Sequence, residues 1–204
     1  MAEDHDRSTI SKAKLLAVEG DDEVNLFTAL TEHEGLTDIE IRNVHGKTRL
    51  RSYVDTVRGI EGFYDVACLG VVRDADDNPQ AAFDSASGAL RDAGLAVPAQ
   101  PETFEAGRPR TGILIFPRAG LPGMLEDLCW ESVQADPAAQ CVTAYMTCVQ
   151  GAVGLPRIVA KARVQAFLAS REESDLRLGL AARKGYWPWD NPAWDHVKNF
   201  LHSM

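Results

Sequence analysis

Leu15-Leu16-Ala17-Val18-Glu19-Gly20-Asp21-Asp22-Glu23 passes without a linker from an apolar run into a helical pattern, and its reading decides the fold. The apolar run reads as a buried strand, and Val24, Phe27, Ala29 and Leu30 then form the stripe of an amphipathic helix. A second junction has the same form: Val66-Ala67-Cys68-Leu69-Gly70-Val71-Val72 leads through Arg73 to Asp74-Ala75-Asp76 and on into another helical stretch. Working outward, the pattern predicts a strand over 13–19, a helix over 21–34 ended by Gly35, and a half-buried strand over Ile39–Val44. A helix over 47–59, a strand over 65–73 and a helix over 79–93 follow. This β-α-β-α-β-α order calls for an α/β fold with a mostly parallel sheet, right-handed crossovers and helices on its faces. Residues 97–111 read as a loop with a short strand near Thr103–Glu105, and Thr111–Pro117 as a further core strand. Beyond Gly123 the pattern is helical, over about 124–134, 137–151, 156–170 and 192–202. The expected organisation is a disordered leader over 1–12, an α/β core over 13–118 and a helical extension over 119–204 packed on it as one unit.

In a parallel sheet the C-terminal strand ends share one rim, where ligands bind. Glu19 and Asp74 end their strands there, and a carboxylate at a buried strand end is partly desolvated, which is costly without a partner. Carboxylates gathered on one rim repel one another unless a cation sits between them, and a hard divalent ion such as Mg2+ prefers oxygen ligands. Capping offers another account of some of these acids. Asp21, Asp22 and Glu23 fall in a first helical turn, where carboxylates complement free N–H groups and the helix dipole. Asp77-Asn78-Pro79 reads as a helix cap, and Glu126-Asp127 sit in a first turn after Gly123.

The 204 residues, 45% hydrophobic and 25% charged, make an ordinary globular composition. No apolar run approaches the ~20 residues that cross a bilayer, and the acidic start Met1–Asp6 is not a signal peptide, so a cytoplasmic protein with no membrane partner is expected. Cys68, Cys129, Cys141 and Cys148 form no C-x-x-C pair and read as reduced, mostly buried thiols. The five histidines show no zinc-ligand spacing and read as surface or cap residues. The net charge of −9 argues against strong phosphate contacts, although bound metal offsets acidity locally. Basic clusters at Arg42-Lys47-Arg49-Arg51 and Arg157-Lys161-Arg163 have the simpler account of solvated helix faces. The aromatic segment Tyr186–Trp194 can stack on unpaired bases or, more simply, plug a hydrophobic gap.

A strand ending in Val18-Glu19-Gly20, a β-α-β-α-β unit and a strand ending in Asp74-Ala75-Asp76 together resemble the Toprim domain of topoisomerases, bacterial primases and the overcoming-lysogenisation-defect (OLD) nucleases. The likeness covers about 14 to 117, and Glu19-Gly20-Asp21-Asp22-Glu23 is most similar to the OLD type. Small stand-alone bacterial Toprim-like proteins also share the late Pro122-Gly123-Met124-Leu125-Glu126 segment, the Lys161-Ala162 helix start and the aromatic tail. The resemblance implies metal-dependent phosphodiester hydrolysis or related phosphoryl transfer on nucleic acid. Asp74, Asp76 and Glu19 would hold one Mg2+ or Mn2+ ion, and Glu23 with Glu126 a second, roughly 3.5–4 Å away. If the chemistry were of the polymerising or strand-transferring Toprim type, Glu19 would instead act as general base or acid, and Lys161 or Arg73 would stabilise charge developing on the phosphate.

No ATPase module accompanies these motifs, so the domain is expected to act alone or with a separately encoded partner protein, as a monomer or a homodimer pairing through its helical third. A non-catalytic Toprim-like module that binds a protein or nucleic acid is the alternative. A small-molecule phosphohydrolase is a third reading, which no glycine-rich phosphate cradle supports.

Overall fold

Apolar side chains alternate along each central strand between two faces, and this alternation builds two cores. In the computed structural model, which describes residues 9–204, the strands are β1 (Lys14–Val18), β2 (Ile39–Asn43), β3 (Cys68–Asp74), β4 (Phe104–Glu105) and β5 (Arg110–Phe116). They form one sheet in the order β2-β1-β3-β5-β4, parallel except for the short edge strand β4. Leu15, Ala17, Leu69, Val71, Ile113 and Ile115 point to one face. Helices α2 (Leu50–Val57) and α3 (Pro79–Asp92) cover it. Leu16, Val18, Val72, Leu114 and Phe116 point to the other. That face lies under α1 (Asp21–His33), α4 (Leu125–Ser132), α6 (Val159–Leu168), α7 (Leu178–Arg183) and α8 (Asp195–His202). The remaining helix, α5 (Pro137–Val153), rests on this second layer through Ala139, Val142 and Met146.

The mostly parallel α/β sheet expected from the sequence is therefore present, flanked by eight helices among the described residues. The helical third shares one apolar cluster with the sheet. Gly70 makes this close approach possible: a Cβ there would stand 2.8 Å from Leu16 Cδ1 and 3.2 Å from Met204 Cε. The expected leader lies outside the described residues up to Ser8. From Thr9 onward the chain is tied down, with Thr9 bridged to Glu61 and Ile10 buried.

Three particulars differ from expectation. Helix α7 is absent from the sequence reading, because Gly179 interrupts a run too short to declare itself. Cys141 and Cys148 are exposed, while Cys68 and Cys129 are buried. His196 is not a surface residue: both ring nitrogens are buried without a hydrogen-bond partner among the described residues, and that burial lowers its pKa. The aromatic tail packs inward, with Trp187, Trp189 and Trp194 all buried. Trp187 stacks on Phe167 at 5.9 Å and donates from Nε1 to Leu178 O at 3.1 Å.

A candidate acidic site at the strand switch point

The chain leaves β1 toward β2 on one side and returns to β3 on the other, so the crevice at the C-terminal ends of β1 and β3 is the topological switch point. Glu19 follows β1 and Asp74 ends β3 at this place. Glu19 Oε1 accepts a hydrogen bond from Arg73 Nε at 2.6 Å and a longer one from Asp74 N at 3.4 Å. Arg73 is buried, and its Nη1 has no partner among the described residues.

The first turn of α1 separates three acids by use. Asp21 Oδ1 accepts from Asn43 Nδ2 at 2.6 Å, and Asp22 Oδ1 accepts from Gly179 N at 3.0 Å. Those two carboxylates are structural. Among the described residues Glu23 has no side-chain partner of this kind, and it folds back over Gly20, where an added Cβ would lie 3.1 Å from its Oε2. Burial raises its pKa to about 7, helped by the charges of Glu19, Asp22 and Glu126.

Helix α4 completes the crevice. Its first residue, Leu125, donates its N–H to Asp74 Oδ1 at 2.9 Å, so Asp74 sits at the positive end of the α4 dipole. Asp127 caps the same turn by accepting from Met124 N at 3.0 Å, while Glu126 turns into the crevice and meets Lys161 Nζ at 2.7 Å. Desolvation nevertheless pushes Asp74 well above the ordinary carboxylate range, and the charges of Glu19, Glu23 and Glu126 add to the rise. Lys161 loses some solvation, which lowers its pKa, but its bond to Glu126 and the fields of Asp74 and Glu23 leave it raised and protonated.

Glu19, Glu23, Asp74, Glu126 and Lys161 thus come together. Asp76 does not join them. Its backbone holds a positive φ of 49°, its carbonyl accepts from Gly123 N at 2.7 Å, and its carboxylate pairs with Lys47 at 2.8 Å on the outer lip. Lys47 comes from the first basic cluster, whose Arg42 pairs with Glu40 and whose Arg51 pairs with Asp92. Nothing in the local pattern around Lys47 distinguished it, since its partner lies on another strand end. Among the described residues, no three His, Cys, Asp or Glu side chains stand in an arrangement that could hold a metal ion.

The donor set nonetheless suits a hard divalent cation: it is all oxygen, partly desolvated and richer in carboxylates than in ammonium or guanidinium groups. Beside it, a cleft of about 430 Å3 runs between α6 and the segment before α7, with Glu126 and Lys161 at its wall.

The model of one protein family, described as a protein of unknown function (DUF3226), matches residues 13–204. No curated protein matches. Among solved structures, two of the C-terminal region of the OLD protein of Xanthomonas campestris pv. campestris are similar to this chain. One has 12% identity and a TM-score of 0.44, covering 94% of this chain and 96% of that one. The other has 14% identity and a TM-score of 0.40, covering 95% and 98%. No helix among the described residues is long and apolar enough to cross a membrane.

Proposed function

The chain belongs to the DUF3226 family, and from that premise we propose that its switch-point crevice is a Toprim-type site for metal-dependent hydrolysis of phosphodiesters in nucleic acid. One observation carries the reading. Four carboxylates from β1, α1, β3 and α4 converge at strand ends, and two of them are pushed toward protonation by burial and by one another. A fold has no structural need to assemble such mutually destabilising groups, whereas a site that takes up a cation does. Glu19, Glu23, Asp74 and Glu126 would hold Mg2+ or Mn2+ only after their side chains close on the ion, since no three of them stand in a ligating arrangement as they are, and Asp76 would join them only by leaving Lys47. When bound, the ion supplies polarisation of a phosphoryl oxygen and a more acidic water.

The chain's own groups have separable tasks. Arg73 fixes the Glu19 carboxylate against the rim. The α4 N-terminus orients Asp74. Lys161, protonated and exposed, is placed to donate to non-bridging phosphate oxygens from the cleft side. Glu23, with a pKa of about 7, is poised to exchange a proton near neutrality in the ion-free protein. The Glu19–Arg73 pair makes Glu19 better suited to positioning than to proton transfer.

The test is cleavage of labelled single- and double-stranded DNA and RNA in Mg2+, Mn2+ or chelator. Cleavage that requires the ion and falls at least about a hundredfold in Asp74→Asn is the expected result. Absence of cleavage on every substrate, with intact fold, would count against it. A second reading rests on the ion pairs Glu19–Arg73, Asp76–Lys47 and Glu126–Lys161, which partly neutralise the rim. On that reading the domain is a non-catalytic module for a protein or nucleic-acid partner, and Asp74→Asn leaves partner binding unchanged.

A further inference from the structure

Helix α5 contains no Asp, Glu, Lys or Arg over its full length, Pro137–Val153, although most of its surface faces solvent. Only Ala139, Val142 and Met146 are buried. An exposed helix ordinarily carries charge on its outer face. Here the outer face repeats Cys141, Ala144, Tyr145, Cys148 and Ala152, a spacing that keeps small and apolar residues in one stripe. Thr143 and Thr147 do not compensate: their hydroxyls donate to Ala139 O and Thr143 O, on α5 itself.

Beside this stripe, between α5 and α6, lies a groove of about 500 Å3 in which no lining residue is charged. Its walls are largely small side chains, among them Ala138, Ala162, Ala166 and Ala169, and Tyr145 stands at its edge with 57% of its surface exposed. Val153 and Leu155, at 84% and 42%, extend the apolar surface past the helix end.

We infer that α5 is the contact of a two-fold symmetric homodimer, in which two copies pair their α5 helices antiparallel and each Tyr145 enters the α5–α6 groove of the other. Three observations select a second copy as the occupant. A two-fold contact places one patch against itself, so it needs a surface without like charges, and α5 is such a surface on a chain of net charge −9. A projecting aromatic and a groove walled by alanines lie on the same face, which satisfies both partners at once. The face is about 25 Å long, from 17 residues at ~1.5 Å each.

The register is set by the same pattern. Cys141 and Cys148 lie on either side of the middle of the helix, and an axis passing between Ala144 and Tyr145 brings Cys141 of one protomer opposite Cys148 of its partner.

Light scattering across a concentration series reads the mass, and copper–phenanthroline with dioxygen as oxidant reads the register. The expected result is twice the chain mass, reverting to one chain mass in Tyr145→Glu, which folds because the side chain is exposed. Tyr64→Glu, at an exposed tyrosine on a different element, should leave the dimer intact. Oxidation should link two chains, and Cys141→Ser or Cys148→Ser should each abolish the link. A single-chain mass at the highest soluble concentration overturns the proposal, as does a dimer indifferent to Tyr145→Glu. Failure of the wild type to link, or a link that survives either serine variant, overturns the antiparallel pairing.

Discussion

Glu23 and Arg73 show how individual residues set the behaviour of the crevice. The Glu23 carboxyl has a folded-state pKa of about 7 against 4.5 for the free group. A raised carboxyl pKa means the folded state binds the proton more tightly than the unfolded chain does. The associated stability is full below pH 4.5 and is lost as pH rises through 7, a loss on the order of 3 kcal/mol. The ion-free protein should therefore melt at a lower temperature at pH 8 than at pH 5. Glu23→Gln should flatten that dependence and raise the melting temperature at pH 8, as read by calorimetric scans of both proteins. Asp74 shifts in the same direction and leaves a residual slope. Arg73 and Lys47 offer the contrast between buried and exposed pairs. Removing Arg73 strands Glu19 beside Asp74 without its counter-charge and should cost about 3–5 kcal/mol in urea denaturation. Lys47→Ala breaks an exposed pair with Asp76 and should cost under about 1 kcal/mol. Equal costs would contradict the assignment of Arg73 as the internal counter-charge.

At the scale of elements, the short helix α7 matters out of proportion to its six residues. Its Gly179 lies against the start of α1, where an added Cβ would stand 2.4 Å from Asp22 O and 2.7 Å from Asp22 Cα. Both are backbone atoms that cannot swing aside. Gly179→Ala should therefore destabilise by about 1–3 kcal/mol despite alanine's better helix propensity. It should also break the Gly179 N to Asp22 bond and loosen the α1 turn that carries Glu23. A neutral or stabilising result in denaturant would show that α7 does not clamp α1. This element was also the least legible from sequence. Long apolar-periodic segments such as α1 and α3 declare themselves, and β1, β3 and β5 do so by apolar runs. Helix α7 forms because tertiary contact with α1 overrides a glycine-containing segment whose local preference is weak.

Across the whole molecule, what sequence could reveal was position along the chain, and what it could not reveal was side-chain direction. Glu19, Glu23 and Asp74 could be placed at the rim because strand ends and first helical turns fall at predictable positions, whereas Glu126 entered only through the family resemblance. That Asp76 would turn outward to Lys47 depends on a positive-φ residue stitched to Gly123, a long-range contact invisible to local pattern. That Glu126 and Asp127 would divide between Lys161 and a helix cap follows from where α6 docks. The rim and the α5 face are also separable as devices: one concentrates charge and the other excludes it. The central claim concerns the rim, and calorimetric titration of Mn2+ into wild type and Asp74→Asn at pH 8 tests it most directly. Saturable binding that raises the wild-type melting temperature and disappears in Asp74→Asn is the result predicted. No binding at millimolar Mn2+ by a folded wild-type protein would contradict it, and would make the ion pairs of the rim its final state.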